Sequence, residues 1–245
     1  MEHITNGGSL KIKNSVALVT GSNRGMGRHF VEQLLARGVT KVYAAARDVA
    51  GISVEGAEVV PLDITEPADV VAAAARAGDV SLLINNAGFS ANQNFITGDL
   101  DEIRREMETN YFGTLAMCRA FAPILAANGG GAILNVLSVV SWISADGANG
   151  YAASKAAAWS LTNGIRLELA AQGTLVTGLH LSVTDTDMAA GIDMPKNDPA
   201  EVVRSGLDGL ERGDLEVLAD ERTVAVKSYL ASAPAALYPQ LGAVP

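Results

Sequence analysis

A chain of 245 residues, of which 49% are hydrophobic and 18% are charged, can bury one large core, and no linker-like segment divides it. Its net charge of −9 is spread along the chain, so no basic stripe is available to neutralise the phosphates of a nucleic acid. These features argue against a nucleic-acid-binding protein. They predict one domain over residues 1–245, with a flexible N-terminal segment at residues 1–14.

The cysteine and histidine content narrows the class of protein further. The single cysteine, Cys118, rules out an internal disulfide and is typical of a reducing compartment. His3, His29 and His180 lie far apart, so no metal-ligand spacing is present and no metal site is predicted. The N-terminal residues lack the apolar core of a signal peptide, and no apolar run is long enough to cross a membrane. We therefore expect a cytoplasmic protein with no membrane partner.

Short apolar runs alternate with longer amphipathic stretches, which is the pattern of repeated βα units. The early runs are apolar on both faces, as in a parallel sheet that helices cover. Right-handed crossovers then predict a doubly wound α/β parallel sheet of about seven strands with helices on both faces. The predicted strands occupy residues 16–20, 41–46, 57–62, 81–84, 132–137, 175–181 and 215–218, and the predicted helices occupy 26–37, 67–77, 99–127, 150–172, 199–212 and 221–232.

A glycine-rich loop directly follows the first predicted strand. Glycines at a strand-to-helix turn allow a tight bend and let the backbone approach a diphosphate, whose charge the helix N-terminus favours. The loop therefore indicates a phosphate site, although a glycine-rich turn without a ligand is the alternative. Its sequence is Thr20-Gly21-Ser22-Asn23-Arg24-Gly25-Met26-Gly27.

A polar loop, Asn85-Asn86-Ala87-Gly88, ends the fourth predicted strand. Its two amides can hydrogen-bond neighbouring backbone and lock the loop, while Ala87 and Gly88 leave room for a ligand. Ligands of doubly wound sheets bind at the carboxyl ends of the strands, where this loop and the glycine loop both lie. A simple Asn/Gly turn is the alternative.

Tyr151 and Lys155 lie four residues apart in a predicted helix, so their side chains project from one face. A phenol with a pKa near 10 needs a downward shift of about 3 units, or roughly 4 kcal/mol, to exchange protons at neutral pH. The neighbouring ammonium, together with a positively charged cofactor ring, is a source of that energy. The pair therefore predicts a proton-transfer device, with Ser138 standing 13 residues before the tyrosine.

These motifs resemble those of one enzyme family. The glycine loop, Asn-Asn-Ala-Gly, Asn110, Ser138 and Tyr-x3-Lys occur in the order and spacing of the short-chain dehydrogenase/reductase family, and the resemblance to its core-length branch runs from Ser15 to about Leu218. It implies a Rossmann-type fold, a nicotinamide dinucleotide cofactor and hydride transfer between that cofactor and a carbonyl or alcohol. It also implies a homodimer or homotetramer.

The resemblance assigns four catalytic roles. Tyr151 would be the general acid–base, and Lys155 would lower the pKa of Tyr151 and hold the nicotinamide ribose hydroxyls. Ser138 would donate a hydrogen bond to the substrate oxygen, and Asn110 would kink its helix and position a water next to Lys155. The residues that the resemblance assigns to the cofactor are Gly21, Ser22, Asn23, Arg24, Gly25, Met26, Gly27, Arg47, Asp63, Ile64, Asn86, Ala87, Gly88, Tyr151, Lys155 and Thr186.

The choice between NADP(H) and NAD(H) depends on the end of the second strand. Family members that prefer NAD carry an acidic residue there, whereas this chain has Ala46 followed by Arg47. Arg47 and Arg24 could clamp a 2′-phosphate through charge-assisted hydrogen bonds, so we predict a preference for NADP(H) over NAD(H). Solvated surface arginines are the alternative. By resemblance, Asp63 and Ile64 border the adenine.

Two further features concern the substrate. After the sixth strand, Leu181-Ser182 stands where the family usually has Pro-Gly, which makes the position of the following loop less predictable.

Apolar loop residues predict a small to medium hydrophobic ketone, aldehyde or secondary alcohol as substrate. The alternatives are a catalytically idle dinucleotide-binding sensor or scaffold, and a reductase of carrier-bound acyl chains. The apolar loop residues are Phe89, Phe95, Val140, Trp142, Ile143, Met188 and Met194.

Overall fold

The structure, a computed structural model, describes residues 11–238. One parallel sheet forms its centre, and the predicted bounds of every strand agree with the observed ones to within one residue. The strands are β1 (Val16–Thr20), β2 (Lys41–Ala46), β3 (Ala57–Pro61), β4 (Leu82–Asn85), β5 (Ala132–Val136), β6 (Leu175–His180) and β7 (Glu216–Leu218). Their spatial order is β3-β2-β1-β4-β5-β6-β7. The predicted doubly wound sheet is therefore confirmed.

Helices cover both faces of this sheet. They are α1 (Gly25–Ala36), α2 (Pro67–Arg76), α3 (Leu100–Met107), α4 (Thr114–Ala127), α5 (Asn149–Glu168), α6 (Pro199–Arg212), α7 (Glu221–Ser228) and α8 (Pro234–Leu237). Side chains of α1 and α6 build the core on one face, and those of α2, α4 and α5 build it on the other. Successive strand residues alternate between these two cores, as the pleat requires. Large side chains such as Phe30 and Phe121 are fully buried, each worth about 1.5–3 kcal/mol in burial free energy.

The predicted helix over residues 99–127 is interrupted. A π-helical turn, Glu108–Gly113, separates α3 from α4 and contains Asn110. The Thr114 hydroxyl donates to the Asn110 carbonyl oxygen at 3.0 Å, and Gly113 lets the turn pack closely on Ile64. A π turn adds one residue to the helical repeat, so the apolar pattern alone does not reveal it.

The other predicted helices differ only at their ends. The predicted helix 150–172 ends at Glu168, where a short 3₁₀ turn, Ala170–Gln172, leads to Gly173 with φ of 75°. The predicted helix 221–232 ends at Ser228. Short 3₁₀ turns at Val139–Ser141 and Asp187–Ala189, together with α8, were not predicted.

The strand order reverses between β1 and β4, which places a crevice at the carboxyl ends of these strands. Residues 1–10 of the expected flexible segment, with His3, lie outside the described residues, whereas Ile12 is fully buried in the core beneath α1. Between residues 11 and 238, no helix has both the length and the apolar character to cross a membrane. Over the same range no cluster of three metal-binding side chains occurs.

Candidate active site

The glycine loop between β1 and α1 is shaped by contacts that leave no room for side chains. Gly21 and Gly25 have φ of 67° and 51°, in the left-handed region that favours glycine. A Cβ on Gly27 would overlap the carbonyl oxygen of Gly21. The Ser22 hydroxyl donates to the Val19 carbonyl at 2.6 Å, which fixes the start of the turn. The loop is therefore a tight cradle whose backbone faces the crevice at the start of α1.

A second loop, which follows β4, is bonded directly to this cradle. The Thr20 hydroxyl accepts hydrogen bonds from the backbone N–H groups of Asn86 and Ala87, at 3.0 and 2.9 Å. The Asn86 amide donates to the carbonyl oxygens of Thr20 and Gly21. Asn86 thus locks the loop in the predicted manner. Asn85 instead points into the core and donates to the Asn135 side chain at 2.9 Å.

Gly88 brings the second loop against the π-helical turn and α5. A Cβ on Gly88 would lie 3.1 Å from Asn110 Oδ1 and 3.5 Å from Lys155 Nζ. The glycine therefore permits an approach that a larger residue would hinder. Through this contact, the crevice between β1 and β4 continues to Lys155 on α5.

Lys155 and Tyr151 lie one turn apart on α5, with the Lys155 ammonium 5.7 Å from the centre of the tyrosine ring. Lys155 is buried and donates to the Val136 carbonyl oxygen at 2.9 Å. Burial lowers the pKa of Lys155 to about 8. The amine is thus held at the edge of β5, within reach of the crevice.

The pKa of Tyr151 departs from the sequence expectation. Burial raises the pKa of the phenol far above its ordinary value, a hydrogen bond with Ser138 acts in the opposite direction, and the charge of Glu106 raises the pKa further. The expected lowering by Lys155 does not offset burial in the protein chain alone, because the ammonium bonds to the Val136 carbonyl and not to the phenol. The phenol is therefore held in its neutral form.

Ser138 sits where β5 ends, facing Tyr151. Its hydroxyl accepts from the Val140 N–H at 3.3 Å and lies 3.5 Å from the Leu181 carbonyl, and it caps the 3₁₀ turn that follows. His180 contacts the Ser138 carbonyl from behind through Nδ1, at 3.2 Å. Trp142, predicted to line the pocket, stacks on the His180 ring with centroids 4.0 Å apart.

Asn110 lies in the π-helical turn, next to the loop after β4. Its amide donates to the Phe89 carbonyl at 2.9 Å and to the Ser154 hydroxyl at 2.8 Å, while its Oδ1 accepts from the Phe89 N–H at 2.9 Å. The side chain thereby fastens Phe89 to the helix that carries Lys155. The water-positioning role stays a prediction.

The residues predicted to bind the adenosine half of the cofactor are only partly brought together. Arg47 lies 3.9 Å from Asp63 and lines an open cavity of about 570 Å³. Arg24 instead forms a 3.0 Å ion pair with Asp187 in the loop after β6, and both side chains are exposed. Ile64 is buried against Gly113, so it borders the core more than the cavity.

Of the remaining residues that were predicted to bind the cofactor, one packs toward the core and the others lie at or next to the glycine loop. Asn23 lies against Gly51, and Met26, in the first turn of α1, packs at the margin of the core. Thr186 lies against the glycine loop, because a Cβ on Gly25 would be 3.3 Å from its methyl group. The structure therefore brings Thr186 next to the cradle and turns Met26 toward the core.

The loop that follows Leu181-Ser182 is held by a residue that the sequence did not indicate. Asp220 accepts from the Ser182 N–H at 2.8 Å and from the Asn197 amide at 3.1 Å, and it also caps α7 through Thr223. One carboxylate thereby holds both ends of the loop between β6 and α6. Of the apolar residues in the candidate loops, Phe95, Met188 and Met194 are exposed.

Comparison with known proteins agrees with this geometry. Residues 15–197 match the family model described as short chain dehydrogenase. The chain is 32% identical, over 73% of its length and 72% of the relative's, to a 3-alpha-(or 20-beta)-hydroxysteroid dehydrogenase of Mycobacterium bovis.

Two solved structures share the fold over nearly the whole chain. A short chain dehydrogenase from Burkholderia cenocepacia J2315, in complex with NADP, superposes with a TM-score of 0.91 and is 40% identical; the match covers 96% of this chain and 100% of that one. A short-chain dehydrogenase from Sphingobium yanoikuyae, in complex with NADPH, gives a TM-score of 0.78 at 28% identity, covering 94% and 96%. The chain belongs to the short-chain dehydrogenase family.

Proposed function

We propose that the protein transfers a hydride between NADP(H) and a carbonyl or alcohol, the substrate being a small to medium hydrophobic ketone, aldehyde or secondary alcohol. The observation that carries this proposal is the meeting of Ser138, Tyr151 and Lys155 where β5 and α5 border the crevice. Hydroxyl groups of Ser138 and Tyr151 can act on one substrate oxygen, where negative charge develops during reduction.

The crevice fits a dinucleotide. The cradle of Gly21, Gly25 and Gly27 exposes backbone at the start of α1, where a diphosphate is favoured. Gly88 leaves space beside Lys155, whose ammonium can bind ribose hydroxyls. When bound, the nicotinamide supplies the hydride. The protein's own part is to hold the two reactants and to move the proton.

Proton transfer would centre on the Tyr151 hydroxyl. In reduction, the neutral phenol donates its proton to the carbonyl oxygen, while the Ser138 hydroxyl donates a second hydrogen bond to the same oxygen. The raised pKa of Tyr151 suits this direction, because a general acid must hold its proton until the substrate oxygen becomes basic. In oxidation the phenol must first ionise, which burial opposes.

Substitution of Tyr151 tests this assignment. Tyr151→Phe should lower kcat for ketone reduction by roughly 100-fold to 10,000-fold, the usual contribution of general acid catalysis, with NADPH affinity nearly unchanged. Tyr43→Phe is the matched control, since its hydroxyl bonds to Asp79 away from the crevice. Turnover is followed by NADPH absorbance over a panel of ketones and alcohols. Equal turnover of the Tyr151 variant and the control would reject the role.

The preference for NADP(H) rests on Arg47 and Arg24. Neither Ala46 nor Arg47 offers a carboxylate to the adenosine ribose hydroxyls. The Arg47 guanidinium is exposed and lies 3.9 Å from Asp63, a long contact that it can give up for a charge-assisted bond to a 2′-phosphate. Arg24 can join it by leaving Asp187, because a solvent-exposed ion pair is weak.

The preference is measured as the ratio of kcat/KM for NADPH and NADH. Arg47→Ala should reduce kcat/KM with NADPH about tenfold or more and leave NADH unaffected, since a charge-assisted hydrogen bond is worth about 1.5–3 kcal/mol. Arg28→Ala, which removes an exposed arginine paired with Glu32 on α1, is the control. A wild-type preference for NADH would contradict both arginine roles.

We also propose that α4 and α5 pair with a second copy of the chain in a homodimer or homotetramer. An open groove of about 680 Å³ runs between them, lined by apolar side chains that include Leu115, Leu161 and Ile165. An apolar groove on two long helices is suited to such packing. Light scattering on the wild type and on Leu161→Glu tests this proposal, and a monomeric wild type would contradict it.

A further inference from the structure

Glu106 is a fully buried carboxylate next to the candidate active site, and neither the sequence motifs nor the proposed chemistry uses it. It lies on α3, four residues before Asn110. Its Oε1 accepts a hydrogen bond from the Ala91 N–H at 2.6 Å. Its Oε2 has no hydrogen-bond partner among residues 11–238. A buried polar atom of this kind is costly, so its retention calls for a reason.

Glu106 and Asn110 hold the same loop. Asn110 binds both backbone polar groups of Phe89, and Glu106 binds the N–H of Ala91, two residues further on. The two side chains therefore fasten alternate residues of the loop that follows the Asn-Asn-Ala-Gly turn. This loop directly follows Gly88, which lies beside Lys155.

The carboxylate also touches the start of the helix that carries Tyr151. A Cβ on Gly150 would overlap Glu106 Oε2, so the absence of a side chain at this position makes room for the carboxylate. The Gly150 N–H donates to the Gln93 carbonyl at 3.1 Å, which ties the same loop to α5. Glu106 thus lies between this loop and the residue that precedes Tyr151.

Several charges act on this carboxylate and on the phenol beside it. Burial raises the pKa of Glu106, and hydrogen bonds with the Ala91 N–H and the Ser90 side chain act in the opposite direction. On the same helix, the charge of Glu102 raises this pKa and that of Arg105 lowers it. The negative charge of Glu106 in turn raises the pKa of Tyr151. Lys155, the cation on the other side of the phenol, is held by the Val136 carbonyl.

We propose that Glu106 is a positioning residue that fixes the loop over residues 89–93 against the start of α5, and that its carboxylate charge acts on the neighbouring Tyr151 during carbonyl reduction. This inference rests on the proposed role of Tyr151 as proton donor. A carboxylate near a phenol disfavours the phenolate, because two negative charges would then share a poorly solvated site. Loss of the carboxylate charge should therefore shift the balance toward alcohol oxidation.

The charge is tested with Glu106→Gln, which keeps an oxygen for the Ala91 N–H. The pH dependence of kcat is measured for ketone reduction and alcohol oxidation. The falling limb of reduction and the rising limb of oxidation should both move to lower pH by roughly one unit or more, because at an effective dielectric constant of about 20 a charge about 12 Å away shifts a pKa by about one unit and a closer charge shifts it further. Glu102→Gln, which removes a partly exposed charge from the same helix, should leave both limbs in place. If the pH profiles of kcat for Glu106→Gln coincide with those for Glu102→Gln, the electrostatic role of Glu106 is overturned.

The positioning role is tested with a double-substitution cycle. Glu106→Ala should raise KM for the carbonyl severalfold, because the loop loses its bond at Ala91. Gly150→Ala should raise KM in the wild-type background, where the added methyl group displaces the carboxylate, and should do so less in the Glu106→Ala background. Additive effects of the two substitutions, or an unchanged KM in Glu106→Ala, would reject the clamp.

A readout that needs no turnover separates this inference from the proposed function. The absorbance of tyrosinate is titrated with pH in the NADP⁺-loaded protein, and the transition that Tyr151→Phe removes is assigned to Tyr151. Glu106→Gln should move that transition to lower pH. If the transition moves but no ketone or alcohol is turned over, the proposed function fails and the coupling stands. If turnover is normal but the transition does not move, the coupling fails alone.

Discussion

The buried histidine behind Ser138 gives the structure a measurable pH dependence. His180 ends β6 with its side chain fully buried, one ring face stacked on Trp142, and its Nδ1 against the Ser138 carbonyl. Burial, together with the charge of the nearby Lys227, lowers the pKa of His180 to about 3, although the contact with the Ser138 carbonyl acts in the opposite direction. Glu216 lies 3.4 Å from Nε2 but is already paired with Lys227, so it does little to favour the imidazolium.

The magnitude follows from linkage between protonation and folding. An unfolded chain protonates this histidine below a pKa near 6.5, whereas the folded chain does so only near 3. Above about pH 6.5 both states are neutral at this position, and the stability is unaffected; as the pH falls below that value, the unfolded state gains a proton and stability is lost. Between about pH 7.5 and 5.5 the loss is about 1.3 kcal/mol.

Urea unfolding of the wild type and of His180→Asn at these two pH values measures this loss. Asparagine keeps a donor for the Ser138 carbonyl and does not titrate, so the variant should lose less stability than the wild type by about 1.3 kcal/mol on acidification. His29→Asn, on a partly exposed site of α1 beside Glu32, is the control and should behave as the wild type. The same pH dependence in His180→Asn and the wild type would refute a buried neutral imidazole.

Two other substitutions test the crevice. Gly27→Ala should weaken NADPH binding by roughly one to two orders of magnitude, because its Cβ overlaps the Gly21 carbonyl and overpacking costs about 1–3 kcal/mol; calorimetric titration that finds wild-type affinity would contradict the cradle. Asp220→Ala should lower the free energy of unfolding by about 1–2 kcal/mol and raise KM for the carbonyl, because α7 loses its cap and Ser182 its acceptor. If Asp220→Ala lowers the stability but leaves KM unchanged, Asp220 only caps α7 and does not position the loop at Ser182.

The fold could be predicted largely because its strands are short, apolar and bounded by turn residues. Runs such as Val16–Thr20 and Lys41–Ala46 are buried on both faces, and only a parallel sheet covered by helices has many such strands. The interruption at Glu108–Gly113 could not be predicted in the same way. It depends on bonds from Asn110 to Phe89 and Ser154, which lie 21 and 44 residues away in sequence.

The candidate site was predictable where short motifs specify it and not where single distant partners do. Asn86 locks its loop as the sequence indicated, yet nothing local marks Asp220 as the partner of Ser182, 38 residues away. Glu106 could have been found from one signal. Glu106 lies one turn before Asn110 and therefore on the same face of the helix. Because Asn110 belongs to a motif whose side chain is expected to face the interior, Glu106 is expected to face it too.

The pKa of Tyr151 shows how burial opposes a shift that spacing alone would favour. Tyr151 and Lys155 are one turn apart, as predicted, but the Lys155 ammonium bonds to Val136, and burial costs the phenolate more than the amine returns. A site that must accept a proton from an alcohol would need further positive charge in the crevice before the phenol could ionise. A site that donates a proton to a ketone needs none. Burial and the Glu106 charge, which both raise the pKa of Tyr151, therefore suit the proposed role of the neutral phenol as proton donor to a ketone.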